Sequence, residues 1–260
     1  MERLKDLDKF IKELIKEIPG LIASIEMGPV ENKSGVRDLV TEVDKGVERF
    51  LTEKILEKFP DHEVLGEETY DKNKSYEGKN LWVIDPIDGT TNFVKQKNDY
   101  CTIIAYFENE KPMLSYIYEV EKDDLYWAMA GDRVYLNDQA LESPRDKALN
   151  EALVSTDIRR MNGNRPEFFQ ALLKESFGMR SVGTSGLDGS RVLTGRFGGY
   201  LNYRGGPWDF APFFLMADLL DLVFVNLQGE KPDMFSYSDY IISTKSVYAD
   251  FVKIRDRVGL

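Results

Sequence analysis

The residues best suited to chemistry lie directly after a short apolar run. Leu81-Trp82-Val83-Ile84 predicts a strand, and Asp85-Pro86-Ile87-Asp88-Gly89-Thr90-Thr91 follows it without a break. Asp85 and Asp88, with a carbonyl oxygen exposed by the turn at Pro86, are the hard oxygen ligands that Mg²⁺ prefers. Gly89-Thr90-Thr91 offers N–H groups and hydroxyls where a helix could begin, which suits an anion. This combination indicates a phosphate-ester site; the alternative is an Asp-rich turn that only caps a helix.

Three further acidic positions sit at turns or strand ends beside small residues, rather than on a charged helix face. They are Asp44 in Asp38-Leu39-Val40-Thr41-Glu42-Val43-Asp44, Glu67 in Leu65-Gly66-Glu67-Glu68, and Asp209 after Pro207-Trp208. Asp44 has an alternative role as the N-cap of the helix that follows, and one residue can serve both purposes. Glu68 is expected to be a supporting or solvated residue rather than a ligand.

Net charge and composition limit the partners and the cellular location that the chain can have. The chain has 260 residues, with 34 Lys and Arg against 45 Asp and Glu, so its formal net charge is −11. That balance argues against a nucleic-acid partner, whose phosphates need a basic surface. A small phosphorylated substrate stays open, because a bound metal ion reverses the local charge. The charged start from Met1 to Asp6 argues against a signal peptide, and no apolar run is long enough for a membrane partner. We therefore expect a cytoplasmic protein.

The one histidine and the one cysteine exclude several mechanisms. With Cys101 alone, an intramolecular disulfide is impossible, and zinc sites built from Cys and His are excluded. Cys101 lies in an apolar run and is expected to be a small buried side chain rather than a nucleophile. His62 follows Phe59-Pro60-Asp61, which favours a solvated loop histidine over a member of a Ser-His-Asp triad. A covalent aspartyl-phosphate mechanism is disfavoured too, because haloacid-dehalogenase phosphatases space their two aspartates by two residues, whereas Asp85 and Asp88 are three apart.

The elements that must position these residues divide the chain into two parts. Apolar residues from Leu4 to Ile18 recur at helical spacing, and Pro19-Gly20 is expected to end that helix. A polar segment at 31–37 predicts a mobile loop, and a second helix is expected over about 44–59. Residues 100–137 alternate apolar runs with turns, which is typical of an antiparallel sheet, whereas strands and helices alternate from Glu151 onward. The fold class is therefore α/β, with an α+β part at 1–145 and an α/β part at 146–260.

The strongest motif resembles a known family. The segment from Trp82 to Phe93 looks like the signature of the inositol monophosphatases, which belong to the lithium-sensitive, metal-dependent sugar phosphatases together with fructose-1,6-bisphosphatases and nucleotide 3′-phosphatases. The segments around Asp44, Glu67 and Asp209 match in the same order. The resemblance implies a layered αβαβα sandwich.

The resemblance also implies a set of site residues. Glu67, Asp85 and the carbonyl of Ile87 would bind a first Mg²⁺, and Asp85, Asp88 and Asp209 a second. The catalytic set would be Asp44, Glu67 and Thr90, with Thr90 and Asp44 orienting a metal-activated water and accepting its proton. The mobile loop at Lys33-Ser34 would add a third, weaker metal site. The residues expected to contact phosphate or substrate are Gly89, Thr90, Thr91, Gly183, Thr184 and Asn202.

The second half departs from the family pattern at the substrate wall. Family members carry Gly-Ser-Ala-Ala-Leu-Asp where this chain has Gly183-Thr184-Ser185-Gly186-Leu187-Asp188, and inositol-specific members carry a Glu at the position of Asn202. Asparagine can bond a hydroxyl without bringing a charge. These departures concern the substrate and leave the proposed metal ligands intact.

The sequence thus predicts a Mg²⁺-dependent phosphomonoesterase acting on a small polyol or sugar phosphate, with inositol monophosphate first. The alternatives are a fructose-1,6-bisphosphatase or a 3′-phosphoadenosine 5′-phosphate phosphatase on the same scaffold. An alternative of another class is a non-catalytic metal-binding regulatory protein. The family resemblance also predicts lithium sensitivity and a homodimer.

Overall fold

The computed structural model describes residues 2–26, 31–32, 39–157 and 166–259, so Lys33 and Ser34 lie outside the described residues. The described helices are α1 Glu2–Ser24, α2 Glu42–Lys58, α3 Thr90–Gln96, α4 Pro166–Glu175, α5 Ser185–Leu193, α6 Pro207–Phe210, α7 Phe213–Leu219 and α8 Lys245–Arg257. The described strands are β1 Glu31–Asn32, β2 Leu39–Val40, β3 Glu63–Gly66, β4 Asn80–Asp88, β5 Cys101–Glu108, β6 Lys111–Glu119, β7 Asp124–Met129, β8 Val134–Leu136, β9 Gln139–Ala140, β10 Leu153–Thr156, β11 Gly178–Arg180, β12 Gly199–Gly205, β13 Val223–Val225 and β14 Ser238–Ser243.

Strands β3 to β9 form the larger sheet, in the order β3-β4-β5-β6-β7-β8-β9. β3 pairs with β4 in parallel and the other neighbours are antiparallel, which confirms the antiparallel sheet predicted for residues 100–137. Helices α1 and α2 cover one face, where Ile11 and Val47 share a buried cluster with Trp82 and Tyr106. Close packing of this cluster fixes β4, the strand that carries Asp85.

The first helix extends further than its sequence predicts. Pro19 lies inside α1 rather than at its end, although an internal proline costs about 3 kcal/mol of helix stability. Packing offsets this cost, because Leu21, Ile22 and Ile25 contact the same buried cluster as the first half of the helix. Two other boundaries differ as well: α2 begins at Glu42, and the described part of the expected loop, residues 31–32, pairs with 39–40 as strands.

The smaller sheet comes from the second half of the chain, in the order β11-β10-β12-β14-β13. β10 runs parallel to β11 and β12, whereas β14 is antiparallel to β12 and β13. This mixture agrees with the α/β pattern expected from Glu151 onward.

Helices α5, α6 and α7 pack between the two sheets and complete the layers. Their buried cluster joins Ile103 of the larger sheet to Tyr200 of the smaller one through Leu187 and Phe213. Helices α4 and α8 cover the outer face of the smaller sheet, where Phe168 and Phe251 share another cluster. The layers are therefore helix, sheet, helix, sheet and helix, as the α/β sandwich predicts. The boundary at residues 145–146 stays a prediction.

None of the helices described above is both long and apolar enough to cross a bilayer.

Candidate active site

An extra residue in β4 turns two carboxylates toward the same side of the sheet. Asp85 pairs with Ile103 and Asp88 pairs with Cys101, so the register of β4 against β5 shifts between the two aspartates. Side chains alternate along a regular strand, which would place positions three apart on opposite faces. The bulge cancels this alternation, and the hydroxyl of Thr102 donates to the carbonyl of Pro86 at 2.8 Å to hold it.

A third carboxylate reaches the same point from the second half of the chain. Asp209 lies in the short helix α6, where its Oδ2 accepts a hydrogen bond from the N–H of Gly206 at 2.7 Å. One carboxylate oxygen each from Asp85, Asp88 and Asp209 lies within 4.8 Å of the others. Packing of α6 against the larger sheet thus brings Asp209 close to Asp88, although the two residues are far apart in the sequence.

Asp85 lies in an unfavourable electrostatic environment. Burial raises the pKa of its carboxyl well above the ordinary value, and the neighbouring charges of Glu67, Asp88 and Asp209 raise it further. Glu67 comes next to Asp85 because it continues the parallel pairing of β3 with β4, its N–H donating to the carbonyl of Ile84 at 3.1 Å. Among the described residues, the Oδ1 atom of Asp85 has no hydrogen-bond partner.

Asp88 is held by the amino end of α5. The N–H groups of Ser185 and Gly186 donate to its two carboxylate oxygens at 3.1 and 2.6 Å. The thiol of Cys101 donates to Oδ2 at 3.4 Å. Burial raises the pKa of Asp88 to about 7, although these three hydrogen bonds act in the opposite direction. The first two N–H groups of α5 therefore bond Asp88, whereas that of Leu187 bonds the hydroxyl of the N-cap Thr184.

Asp44 and Thr90 form a direct contact beside the carboxylate cluster. The hydroxyl of Thr90 lies 2.9 Å from Oδ1 of Asp44 and 3.1 Å from the carbonyl of Ile87. The expectation that Asp44 caps its helix is wrong in detail, because Thr41 is the N-cap and Asp44 is the third helical residue. Its Oδ2 accepts from the N–H and the hydroxyl of Thr41 in a capping box. Burial raises the pKa of the Asp44 carboxyl.

The turn before α3 requires a glycine for two reasons. Gly89 has a φ of 94°, and a Cβ atom at this position would lie 2.3 Å from the Cγ2 atom of Thr184. Gly183, with a φ of 92°, precedes Thr184, which is the N-cap of α5. The expected phosphate residues of the two halves therefore meet here, and Thr91 is exposed beside them.

The side chain of Asn202 is hydrogen-bonded to other residues of the chain. Its amide nitrogen donates to the hydroxyls of Ser185 and Tyr200 at 3.1 and 3.2 Å, and its Oδ1 accepts from the N–H of Arg204 at 3.0 Å. Both amide protons are therefore used, and a substrate hydroxyl would compete with these contacts. This tie was not foreseen from the sequence, because it depends on how β12 faces α5.

Three supporting residues were also missed. Asn92 donates to the carbonyls of Asp99 and Val182 at 2.8 and 2.9 Å, and so joins the two halves next to Gly89. Asp188 accepts from the hydroxyl of Ser155 at 2.6 Å and from the N–H of Gly183 at 3.1 Å, which fixes the turn before α5.

Glu48 is the third of these supporting residues. It is buried one helical turn after Asp44 and accepts from the N–H of Glu68 at 2.8 Å. Its position on the apolar face of α2 was the signal in the sequence, because a buried acidic residue needs a partner.

The structure confirms the prediction for Cys101 and only part of the prediction for His62. Cys101 is fully buried, as predicted, and burial raises the pKa of its thiol well above the ordinary value. His62 lies outside the helices and strands, as predicted, but it is half-buried rather than solvated. The Nδ1 atom of His62 accepts a hydrogen bond from the indole of Trp82 at 3.0 Å, and its ring stacks on Phe59 and Tyr106.

The arrangement fits a hard divalent cation. Converging carboxylate oxygens are the donors that Mg²⁺ and Ca²⁺ prefer. The buried Oδ1 of Asp85 has no partner in the part of the chain that the structure describes, and Asp85, Asp88 and Asp209 repel one another. Both features favour a positive ion between them.

Comparison with known proteins identifies the family to which the chain belongs. Residues 5–254 match the inositol monophosphatase family. The chain is 34% identical over 236 residues to the inositol-1-monophosphatase of Bacillus subtilis, covering 88% of this chain and 89% of the relative. It is 28% identical over 257 residues to the fructose-1,6-bisphosphatase/inositol-1-monophosphatase of Thermotoga maritima, covering 97% and 96% of the two chains.

Solved structures of similar proteins share the fold across nearly the whole chain. An IMPase/NADP phosphatase complexed with Mg²⁺ and phosphate has a TM-score of 0.92 and 38% identity, covering 97% of this chain and 95% of that one. A staphylococcal inositol monophosphatase-1, soaked in LiCl as an inhibitory complex, has a TM-score of 0.89 and 38% identity, covering 96% and 94%. This protein belongs to the inositol monophosphatase family and is a phosphoric monoester hydrolase.

Proposed function

We propose that the protein is a Mg²⁺-dependent phosphatase of a small polyol or sugar phosphate, with inositol monophosphate as its first substrate. The observation that carries the proposal is the convergence of Asp85, Asp88 and Asp209 within 4.8 Å, beside the hydrogen bond between Thr90 and Asp44. A non-catalytic relative would be expected to lose a ligand or the pair Thr90 and Asp44, and the presence of all of them argues against that alternative.

The proposed ligands divide into two sets that share one residue. Glu67, Asp85 and the carbonyl of Ile87 would hold one ion, and Asp85, Asp88 and Asp209 would hold the other. Divalent ions in such a site offset the charge of the phosphate and lower the pKa of water. The support for this division is that Asp85 interacts electrostatically with Glu67 as well as with Asp88 and Asp209, and shares the 4.8 Å cluster with the two aspartates.

The roles of the remaining residues follow from their contacts. The hydroxyl of Thr90 donates a hydrogen bond to Asp44, which leaves the lone pairs of its Oγ1 free to accept one from a water. Thr90 can therefore orient that water and relay a proton from it to the carboxylate of Asp44. The N–H groups at Gly89 and Thr90 lie at the start of α3, where partial positive charge stabilises phosphate oxygens. Asp44 is buried and held by Thr41, so it can accept a proton without moving.

The experiment measures phosphate release from inositol-1-phosphate, fructose-1,6-bisphosphate, NADP and 3′-phosphoadenosine 5′-phosphate. Each ester is tested with Mg²⁺ and with EDTA, using wild-type protein, Asp85→Asn and Asp88→Asn. Asp138→Asn is the matched control, because Asp138 is an exposed aspartate in the turn between β8 and β9. Mg²⁺-dependent release that both site variants lose and the control keeps would support the proposal. Release that continues in EDTA or in Asp85→Asn would contradict it.

Four further features predicted by the resemblance belong to the same proposal. Millimolar Li⁺ should inhibit, and unchanged activity would count against a family-like second metal position. A third, weaker metal site is proposed, brought by the loop that contains Lys33 and Ser34. A homodimer is proposed, with exposed Leu173 and Phe177 offering apolar surface for contact. Sedimentation tests the dimer, and cell fractionation tests the cytoplasmic location.

A further inference from the structure

Arg204 places a positive charge at the edge of the candidate site. Its side chain is exposed on β12, and it makes no ion pair with any residue that the structure describes. The guanidinium carbon lies 5.4 Å from the centre of the Tyr237 ring. A cation over an aromatic face is attracted to it, so the ring restricts where the guanidinium can point. The charge is therefore available to a ligand and partly oriented.

The neighbours of Arg204 place it next to the proposed metal ligand Asp209. The following residue, Gly205, packs so closely that a Cβ atom there would lie 3.3 Å from the side chain of Asp209. Tyr237 lies 5.6 Å, ring centre to ring centre, from Trp208, which directly precedes Asp209. The backbone next to Arg204 thus approaches Asp209, and the ring that orients its guanidinium packs on the residue before Asp209.

Arg204 is also tied to the expected substrate wall. Its backbone N–H donates to Oδ1 of Asn202 at 3.0 Å. Leu201 and Tyr203 pack with the outer cluster of the smaller sheet, whereas Tyr200 packs with the cluster between the sheets. The register of β12 against β14 shifts between Asn202 and Gly205, so the direction of Arg204 is set by its contacts rather than by simple alternation. Its guanidinium lies over the Tyr237 ring, which packs against Trp208 in the short helix that carries Asp209.

A monophosphorylated polyol gives this cation no counter-charge, because its one phosphate would be bound by the metal ions and the turn at Gly89. A second anionic group would need a cation of its own, since the chain carries a net charge of −11 and the site is lined with carboxylates. Arginine presents a planar fork that matches phosphate oxygens in pairs. We propose that Arg204 binds a second phosphoryl group, so that the site also takes esters bearing another phosphate or a pyrophosphate. This inference rests on the proposed phosphatase function.

The test compares substrates with and without a second anion. Inositol-1-phosphate is the single-anion probe, fructose-1,6-bisphosphate carries a second phosphate, and NADP carries a pyrophosphate. Arg204→Gln should raise KM about fivefold to tenfold for the latter two, and change it less than about twofold for inositol-1-phosphate. The value of kcat should change little. Arg204→Lys keeps the charge but loses the fork, so its KM should be intermediate.

Arg196→Gln provides the matched control. Arg196 is another exposed arginine, but it lies just past the carboxyl end of α5, the helix whose amino end holds Asp88. This variant makes the same change in net charge and should leave the ratio of KM values between substrates unchanged.

The possible results separate the two proposals. Phosphate release from none of the esters would overturn the phosphatase function and the role of Arg204 together. Hydrolysis of inositol-1-phosphate alone, or an equal change of KM for all substrates in Arg204→Gln, would overturn the role of Arg204 and leave the phosphatase intact. A selective effect on fructose-1,6-bisphosphate or on NADP would support the role and identify the source of the second anion.

Discussion

Strand β4 has opposite surroundings at its two ends. Toward the amino end, Trp82 is fully buried, stacks on Tyr106 at 4.4 Å and donates its indole N–H to His62. Toward the carboxyl end, Asp85 and Asp88 are buried among other carboxylates, and Oδ1 of Asp85 has no partner among the described residues. The amino end of β4 stabilises the fold through packing. The carboxyl end lowers the stability of the fold, because it gathers buried carboxylates that can bind a cation. A strand anchored at one end can carry a destabilised site at the other.

The largest expected effect is at the carboxyl end. Asp85→Asn keeps the shape of the side chain but removes a charge from the group of buried carboxylates. Activity should fall about 1,000-fold, because both proposed metal positions share this residue. In EDTA the variant should unfold at a higher temperature than the wild type, by roughly 1 kcal/mol of stability, because like charges no longer repel. Phosphate release and calorimetry measure the two effects.

Magnesium provides the control for this first prediction. Added Mg²⁺ should raise the Tm of the wild type, since an ion that binds the folded state stabilises it, and should raise that of Asp85→Asn much less. A variant that lost both activity and stability in EDTA would show that Asp85 supports the fold, and the contrast between the two ends of β4 would fail.

The next effect concerns the proton relay. Thr90→Ala removes the hydroxyl that contacts Asp44 and should lower kcat about 100-fold, with KM changed little. Thr90→Ser keeps the hydroxyl and should recover most of the rate. Steady-state kinetics on both variants separates the hydroxyl from the methyl group. Equal losses in Ala and Ser would mean that the methyl group, and not the relay, matters at this position.

A smaller effect is expected where Asp88 meets α5. A Cβ atom at Gly186 would lie 2.6 Å from Sγ of Cys101 and 3.1 Å from Oδ2 of Asp88, so Gly186→Ala should displace the aspartate. We expect about a tenfold loss of kcat/KM. Cys101→Ala removes the sulfur and makes room for the methyl group, so the double variant should recover activity and stability. The interaction energy between the two changes should reach about 1 kcal/mol.

The comparison of single and double variants decides this point. If the effects of Gly186→Ala and Cys101→Ala simply add, the two residues do not share one space. The alanine of the family pattern would then be excluded from this chain for another reason.

Features that depend on neighbours in sequence could be predicted, whereas features that depend on contacts between distant residues could not be predicted from local patterns. Asp85, Asp88 and Gly89 were recognisable because a strand, a proline and a glycine stand next to them in the chain. The antiparallel strands after residue 100 were recognisable for the same reason, since their turns are local. Their convergence with Asp209 was anticipated through the family resemblance and the order of motifs, because no local pattern relates residues so far apart.

The errors have a common cause in long-range packing. Pro19 would end an isolated helix, but contacts of Leu21 and Ile25 with the core continue it. His62 is a loop residue, as its neighbours in sequence indicate, but β4 and β5 bring Trp82 and Tyr106 to its ring and make it less solvated than predicted. Asn202 looked available to a substrate, and its ties to α5 could not be derived from neighbours in sequence.

The smallest expected effect lies at the amino end of β4 and tests stability without chemistry. Burial lowers the pKa of His62, with a further lowering by Arg3 that Glu108 and Asp61 oppose, and its Nδ1 must stay unprotonated to accept from Trp82. The folded protein therefore favours neutral His62. Its contribution is complete above the unfolded pKa of about 6.5 and is lost as the pH falls from there through the folded pKa.

Because the ring is partly exposed, solvent screens the effect, and a loss of about 0.5 kcal/mol is expected between about pH 7.5 and about pH 5.5. Chemical denaturation of the wild type and of His62→Phe measures it, and the chain has no other histidine. Asp88, whose pKa burial raises to about 7, titrates in the same window, but it is common to both proteins and cancels in the difference. His62→Phe should keep kcat within about twofold at the higher pH, because the stack at Trp82 lies at the end of β4 away from the carboxylates. Identical pH slopes, or a large loss of kcat, would show that the two ends of β4 are not independent.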